Sequence, residues 1–302
     1  MWRLLLTRRM LLRVCMILAG VVAYVLQPHR HLSPSAATYL KPGTWALVLG
    51  GSHGLGEAWS NQLAALKVNL AMVARNGEPL LKLKEDLLSR SDSKIKIKTW
   101  SMDLANMTDA WLADFFANYD VQLLVVNAAS TGPKGPFLEG DLGSSLRVVD
   151  VNIRAMLQAT HAFGNHLVQR GVSGGIVLMS SLAGEVGSAN LANYAASKAY
   201  ITTFAQSLSA EMAAGVDVLS CVAGATVTPT YLQGIPSDAA RNTYIEQEPF
   251  EVVSECLANL GRNSWVVTGP LNKLIHMVFT RLIPRSLALR VFSDEARKLM
   301  GL

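Results

Sequence analysis

The chain has 302 residues, 50% hydrophobic and 16% charged, with 23 glycines and 11 prolines. That length suits one large α/β domain or two small ones with a buried core, and the composition excludes a disordered, collagen-like or disulfide-stapled chain. The formal charge of +5 is concentrated at the start, since six of the 27 basic residues precede Pro42 and 21 basic residues then face 22 acidic ones; no nucleic-acid surface is expected.

Residues 1–41 read as an N-terminal membrane anchor or targeting segment with a linker. Residues 10–26 are apolar apart from Arg13, and as a helix they would span about 25 Å, slightly less than a hydrocarbon core of about 30 Å. A signal-anchor helix, a cleaved signal peptide and an organelle presequence all remain open. The anchor is favoured, because so long an apolar run is atypical of an amphipathic transit peptide and the small residues Ser35, Ala36 and Ala37 lie well past it. It implies contact with membrane lipid, at the endoplasmic reticulum or a bacterial cytoplasmic membrane, with mitochondrial targeting left open. Arg3, Arg8 and Arg9 before the run favour a cytoplasmic N-terminus; a shallow monotopic insertion is the alternative to a span. Residues 28–42 read as a polar linker.

From Trp45 onward, short apolar runs alternate with longer amphipathic segments. Strands are expected at 45–49, 70–74, 95–100, 123–127, 175–180, 216–222 and 265–268, and helices at 54–66, 79–89, 145–170, 192–214 and 250–261. Apolar runs without strict alternation imply a sheet covered on both faces, and the alternation of strand and helix implies right-handed crossovers. The expected fold is a Rossmann-like, doubly wound parallel sheet of about seven strands in a three-layer α/β/α arrangement, one catalytic domain at 42–270 with an extension at 271–302. The sequon Asn106-Met107-Thr108 is read as opening a helix. Cys15, Cys221 and Cys256 are read as inert buried thiols. No metal site is expected, because His161 and His166 do not share a helix face.

The first strand runs into Gly50-Gly51-Ser52-His53-Gly54-Leu55-Gly56 and then a helix. Glycines at 50, 54 and 56 let the backbone turn tightly and approach a pyrophosphate at the helix N-terminus. The second strand ends at Ala74-Arg75, where an NAD-preferring site would place a carboxylate. A guanidinium there suits the 2′-phosphate of NADPH/NADP+ over NAD. Farther along, Tyr194 and Lys198 stand four apart on one helix face. An ammonium beneath the phenol would lower a pKa normally near 10, so that the tyrosine exchanges a proton with a carbonyl or alcohol near neutral pH.

These pieces, with Asp103, Val126-Asn127-Ala128-Ala129, Asn152, Ser181 thirteen residues before Tyr194, and Ala223-Gly224 followed by Thr228, resemble the short-chain dehydrogenase/reductase family over roughly residues 44–268. The resemblance implies Tyr194 as general acid/base, Lys198 tuning it and binding the nicotinamide ribose, Ser181 holding the substrate oxygen and Asn152 supporting a water relay. It further implies that Asp103 faces the adenine, Asn127 lines the adenosine site and Thr228 touches the carboxamide, alongside the turn residues Gly50, Ser52, His53, Gly54, Leu55 and Gly56. Leu49, Val126, Ala129 and Ala223 depart from the usual pattern and touch cofactor-site packing. The branch most similar holds 3-oxoacyl and 17β-hydroxysteroid reductases, which implies reduction of a ketone, or oxidation of the alcohol, on a lipophilic small molecule. A catalytically silent NADP(H)-binding sensor or scaffold is the alternative.

Residues 229–249 lie where the family carries a substrate lid, with Tyr231, Leu232, Ile235, Tyr244 and Ile245 among polar residues. After Pro270 the chain is basic and amphipathic, suited to a membrane surface, to closing over the substrate or to a subunit contact. The family also implies a homodimer or homotetramer through the helices at 145–170 and 192–214, with a monomer left open.

Overall fold

The computed structural model describes residues 31–90, 95–212, 215–233, 235 and 245–301, with Met16, Gly20, Val22 and Ala23. The apolar run at 10–26 therefore lies almost wholly outside the described residues, as do Cys15 and Tyr244. Among the described residues no helix is long and apolar enough to cross a membrane.

The apolar runs form seven strands. They are β1 (Trp45–Leu49), β2 (Asn69–Ala74), β3 (Ile97–Ser101), β4 (Val121–Val126), β5 (Gly174–Ser181), β6 (Val216–Ala223) and β7 (Trp265–Val267). All pair in parallel, in the order β3-β2-β1-β4-β5-β6-β7. The order reverses between β1 and β4, so a crevice opens there at the carboxyl ends of the strands. Alternate side chains serve opposite faces: Ala46 and Val48 pack into one cluster and Leu47 and Leu49 into the other. Both are fully buried, which is why the strands read as unbroken apolar runs.

Helices α1 (Leu55–Ala65), α2 (Gly77–Arg90), α3 (Asp109–Asn118), α4 (Leu142–Val149), α5 (Ala155–Arg170), α6 (Leu182–Val186), α7 (Ala192–Glu211), α8 (Pro229–Gln233), α9 (Pro249–Asn259), α10 (Pro270–Met277) and α11 (Arg285–Met300) fill the connections and the C-terminal extension. One face of the sheet carries α1, α2 and α9; the other carries α3, α5 and α7. The sequon opens a helix as expected: Thr108 caps α3, its hydroxyl accepting from Trp111 N at 3.2 Å. The helix expected over 145–170 starts three residues earlier, where Asp141 caps it, and a π turn at Asp150–Arg154 divides it.

Two expectations need correction. The end of the supposed linker is part of the core, with Ala36, Tyr39 and Leu40 buried and the Tyr39 hydroxyl donating to Asp217 Oδ2 at 2.8 Å. Burial and that carboxylate push the Tyr39 phenol above its ordinary value. Second, Cys221 and Cys256 are not free thiols but a buried disulfide, with Cα atoms 5.9 Å apart. Thirty-five residues separate them in the chain, which hides that α9 packs directly on β6.

Candidate active site

The site grows out of the carboxyl ends of β1, β4, β5 and β6. Leaving β1, the chain turns through Gly54, whose φ of +59° few other residues adopt, and enters α1 with no side chain capping its first turn. The amides of Leu55 and Gly56 are left for another acceptor. A Cβ on Gly56 would stand 1.8 Å from Gly50 O and 2.9 Å from Asn127 Nδ2, so the helix can approach the turn this closely only with glycine. Asn127, at the end of β4, donates from Nδ2 to Gly50 O at 2.9 Å; it fixes the turn as well as lining the cavity beside Leu55. Ser52 is buried and its hydroxyl bonds His53 Nδ1 at 2.8 Å. An uncapped helix start over a glycine cradle fits the pyrophosphate of a dinucleotide.

Arg75 is exposed at the end of β2, and Asp103 lies close enough to feel its charge. Both Asp103 oxygens are occupied: Oδ1 accepts from Ala105 N at 3.1 Å and Oδ2 pairs with Arg147 of α4 at 2.5 Å. Burial raises the Asp103 carboxyl, but the bond from Arg147, the backbone amide and the nearby guanidiniums outweigh it and hold the group below its ordinary value. Arg147 was not foreseen. Its role depends on α4 crossing toward β3, which no sequence spacing shows.

At the other end of the crevice, Ser181 closes β5 and caps α6, its Oγ accepting from Ala183 N at 3.3 Å. Its hydroxyl lies close enough to Tyr194, near the start of α7, to act on the phenol. Lys198 is 3% exposed; its Nζ donates to Met179 O at 2.8 Å and sits 5.5 Å from the centre of the Tyr194 ring. The Lys198 carbonyl accepts from Ser180 Oγ at 2.8 Å, so the lysine is fixed to β5 through both backbone and side chain. Burial pushes the ammonium down to about 8. It pushes the Tyr194 phenol up, with the Ser181 hydroxyl only partly opposing the rise. The expected lowering of the phenol is thus not what the protein alone produces, because desolvation of a buried phenolate outweighs the nearby groups.

Asn152 sits in the π turn, 2% exposed. Its amide exchanges two bonds with Ser130, at 2.7 and 2.9 Å, and donates to Ser197 Oγ at 2.9 Å. It therefore ties the loop after β4 to α7, with no direct bond to Lys198 among the described residues. π turns of this kind recur at functional sites. Thr228 caps α8, accepting from Tyr231 N at 3.2 Å, and lines the cavity.

Ser181, Tyr194, Lys198, Leu55, Asn127 and Thr228 all line one cavity of about 570 Å³, walled mainly by apolar side chains. Of the expected lid residues, Tyr231, Ile235 and Ile245 line it, whereas Leu232 is 40% exposed and does not. The far wall comes from α10, α11 and the turn between them, through residues such as Ile275, Phe279 and Phe292. Closing over the substrate was one of three readings of this extension, and amphipathicity alone could not choose among them.

The short chain dehydrogenase family profile matches residues 44–234. A very-long-chain 3-oxoacyl-CoA reductase of Neurospora crassa is 33% identical over 231 residues, 75% of this chain and 67% of that protein. A 7β-hydroxysteroid dehydrogenase of Clostridium sardiniense is 27% identical over 235 residues, 77% of this chain and 88% of that one. A solved 7β-hydroxysteroid dehydrogenase superposes with a TM-score of 0.75 at 24% identity, covering 87% of this chain and 98% of its own. The chain belongs to the short chain dehydrogenase family and is an NAD(P)-dependent oxidoreductase of CH–OH groups.

Proposed function

We propose that the protein reduces a ketone on a lipophilic substrate, or oxidises the matching secondary alcohol, with NADPH/NADP+ as the coenzyme. The observation that carries this reading is the meeting of Ser181, Tyr194 and Lys198 with Leu55, Asn127 and Thr228 in one large apolar cavity. The bound coenzyme would supply or accept hydride at its nicotinamide ring. A phenol raised by burial keeps its proton at neutral pH, so Tyr194 is set to donate to a carbonyl oxygen. Ser181 is placed to hold that oxygen as negative charge builds on it. Lys198, fixed beneath the ring, is mostly cationic at pH 7 and offsets the charge left on the phenolate. Asn152 holds the loop and helix that frame the site.

Preference for NADPH rests on Arg75 at the end of β2, whose guanidinium would meet the adenosine ribose, and on Asp103 being engaged by Arg147 rather than left as a free carboxylate. The names of the two relatives direct the substrate search toward 3-oxoacyl chains and steroids. The apolar run at residues 10–26 supplies membrane contact in this reading. A second copy of the chain covers the apolar side chains that α4 and α7 leave open, including Leu142, Leu146 and Tyr200.

The test is untargeted. Purified protein is incubated with NADPH, or with NADH, and a lipid extract, and carbonyl compounds are followed by mass spectrometry. Depletion of apolar ketones with NADPH, and slower depletion with NADH, is expected; no depletion with either coenzyme contradicts the proposal.

A further inference from the structure

The cavity extends well beyond the residues that face the chemistry, and one helix runs along the extension. Phe292, Ala296 and Leu299 of α11 follow an i, i+4, i+7 pattern, share a helix face and all line the cavity. We infer that this face gauges the length of the substrate's apolar tail, Phe292 reading the part beside the carbonyl and Ala296 and Leu299 the parts farther out. This rests on the ketone-reductase reading above.

Three observations place the gauge relative to the reacting atoms. Phe292 packs with Leu182, the residue after Ser181, and with Val222 and Val267; its ring also meets Phe279 edge to face at 5.1 Å. The first turn of the gauge thus lies against the serine end of the site. From Phe292 to Leu299 the helix advances seven residues, about 10 Å, along the same cavity. The helix is also held in place. Ser293, 4% exposed, accepts from Ala189 N at 2.9 Å, in the segment joining Ser181 to Tyr194, and Ala288 is fully buried. A wall clamped to the catalytic loop reports substrate size with little freedom to yield.

Ala296 is the smallest of the three side chains, so the wall carries a notch midway along its length. Filling the notch should stop long tails and spare short ones, while trimming Leu299 should admit longer tails. Damage to folding or to coenzyme binding would instead affect every substrate alike.

The experiment uses the full chain with a ladder of linear methyl ketones of increasing length. Turnover with NADPH is measured, along with calorimetric binding of each ketone to the NADP+ complex, for wild type, Ala296→Leu and Leu299→Ala. In Ala296→Leu, selectivity should break at a shorter tail, with affinity beyond the break falling about tenfold or more per excluded methylene and NADP+ affinity unchanged. In Leu299→Ala, short ketones should be unaffected and the longest improved. A uniform change along the ladder in both variants, or none, overturns the gauge. If Ala296→Leu does not fold, Leu299→Ala alone decides by the same criterion. A length threshold seen in binding without turnover of any ketone supports the gauge and contradicts the proposed activity instead.

Discussion

Lys198→Met should make the protein more stable at neutral pH while removing its activity. Lys198 is 3% exposed, and burial lowers its ammonium from 10.5 to about 8. The unfolded chain therefore holds this proton more tightly than the native state, and folding is penalised wherever the amine is charged. At about 1.4 kcal/mol per pH unit, the penalty is about 3 kcal/mol below pH 8. It is relieved as pH rises from about 8 to about 10.5, so the lysine's contribution to stability improves with pH across that window. Methionine carries no such penalty but gives up the bond to Met179 O, worth about 1 kcal/mol. The variant should gain about 2 kcal/mol at pH 7 and become slightly less stable than wild type above pH 10.5. Urea unfolding at both pH values, with unchanged m-values, measures the difference. A variant less stable at pH 7, or a difference independent of pH, refutes the reasoning.

Substitutions at three further positions probe the coenzyme cradle and the packing around it. Gly56→Ala forces a Cβ to within 1.8 Å of Gly50 O; thermal unfolding should show a loss of about 2 kcal/mol or more, and fluorescence titration should show NADPH affinity weakened at least tenfold. Arg75→Ala removes a charge-assisted contact worth about 1.5–3 kcal/mol, so kcat/KM with NADPH should fall by about 10- to 100-fold while that with NADH stays constant. Glu185 accepts from Thr202 Oγ1 at 3.2 Å and pairs with buried His276 at 3.1 Å. Glu185→Ala should cost about 2–4 kcal/mol in denaturant unfolding and Glu185→Gln clearly less, since the amide keeps an acceptor.

Much of the fold was legible because its strands are buried on both faces and its crossovers are regular. Every strand was placed to within two residues; the glycine turn and the Tyr194–Lys198 pair stood out by their spacing and Ser181 by the family resemblance, and Ser181, Tyr194 and Lys198 line one cavity. What could not be read depends on elements distant in the chain. Arg147 reaches Asp103 across 44 residues, Cys221 meets Cys256 only because α9 lies on β6, and Ser33–Leu40 enters the core through Asp217. The direction of the Tyr194 shift was missed for a related reason. A lysine one turn away is visible in the sequence, but the burial that raises the phenol is a property of the assembled cavity.

Single-turnover hydride transfer in Tyr194→Phe, with a saturating ketone and NADPH affinity measured alongside, bears most directly on the chemistry. The phenylalanine keeps the ring over Lys198 and deletes only the hydroxyl. Transfer should slow by about a hundredfold or more, with NADPH bound as tightly as in wild type. Transfer at the wild-type rate would show that the proton reaches the carbonyl from somewhere other than Tyr194.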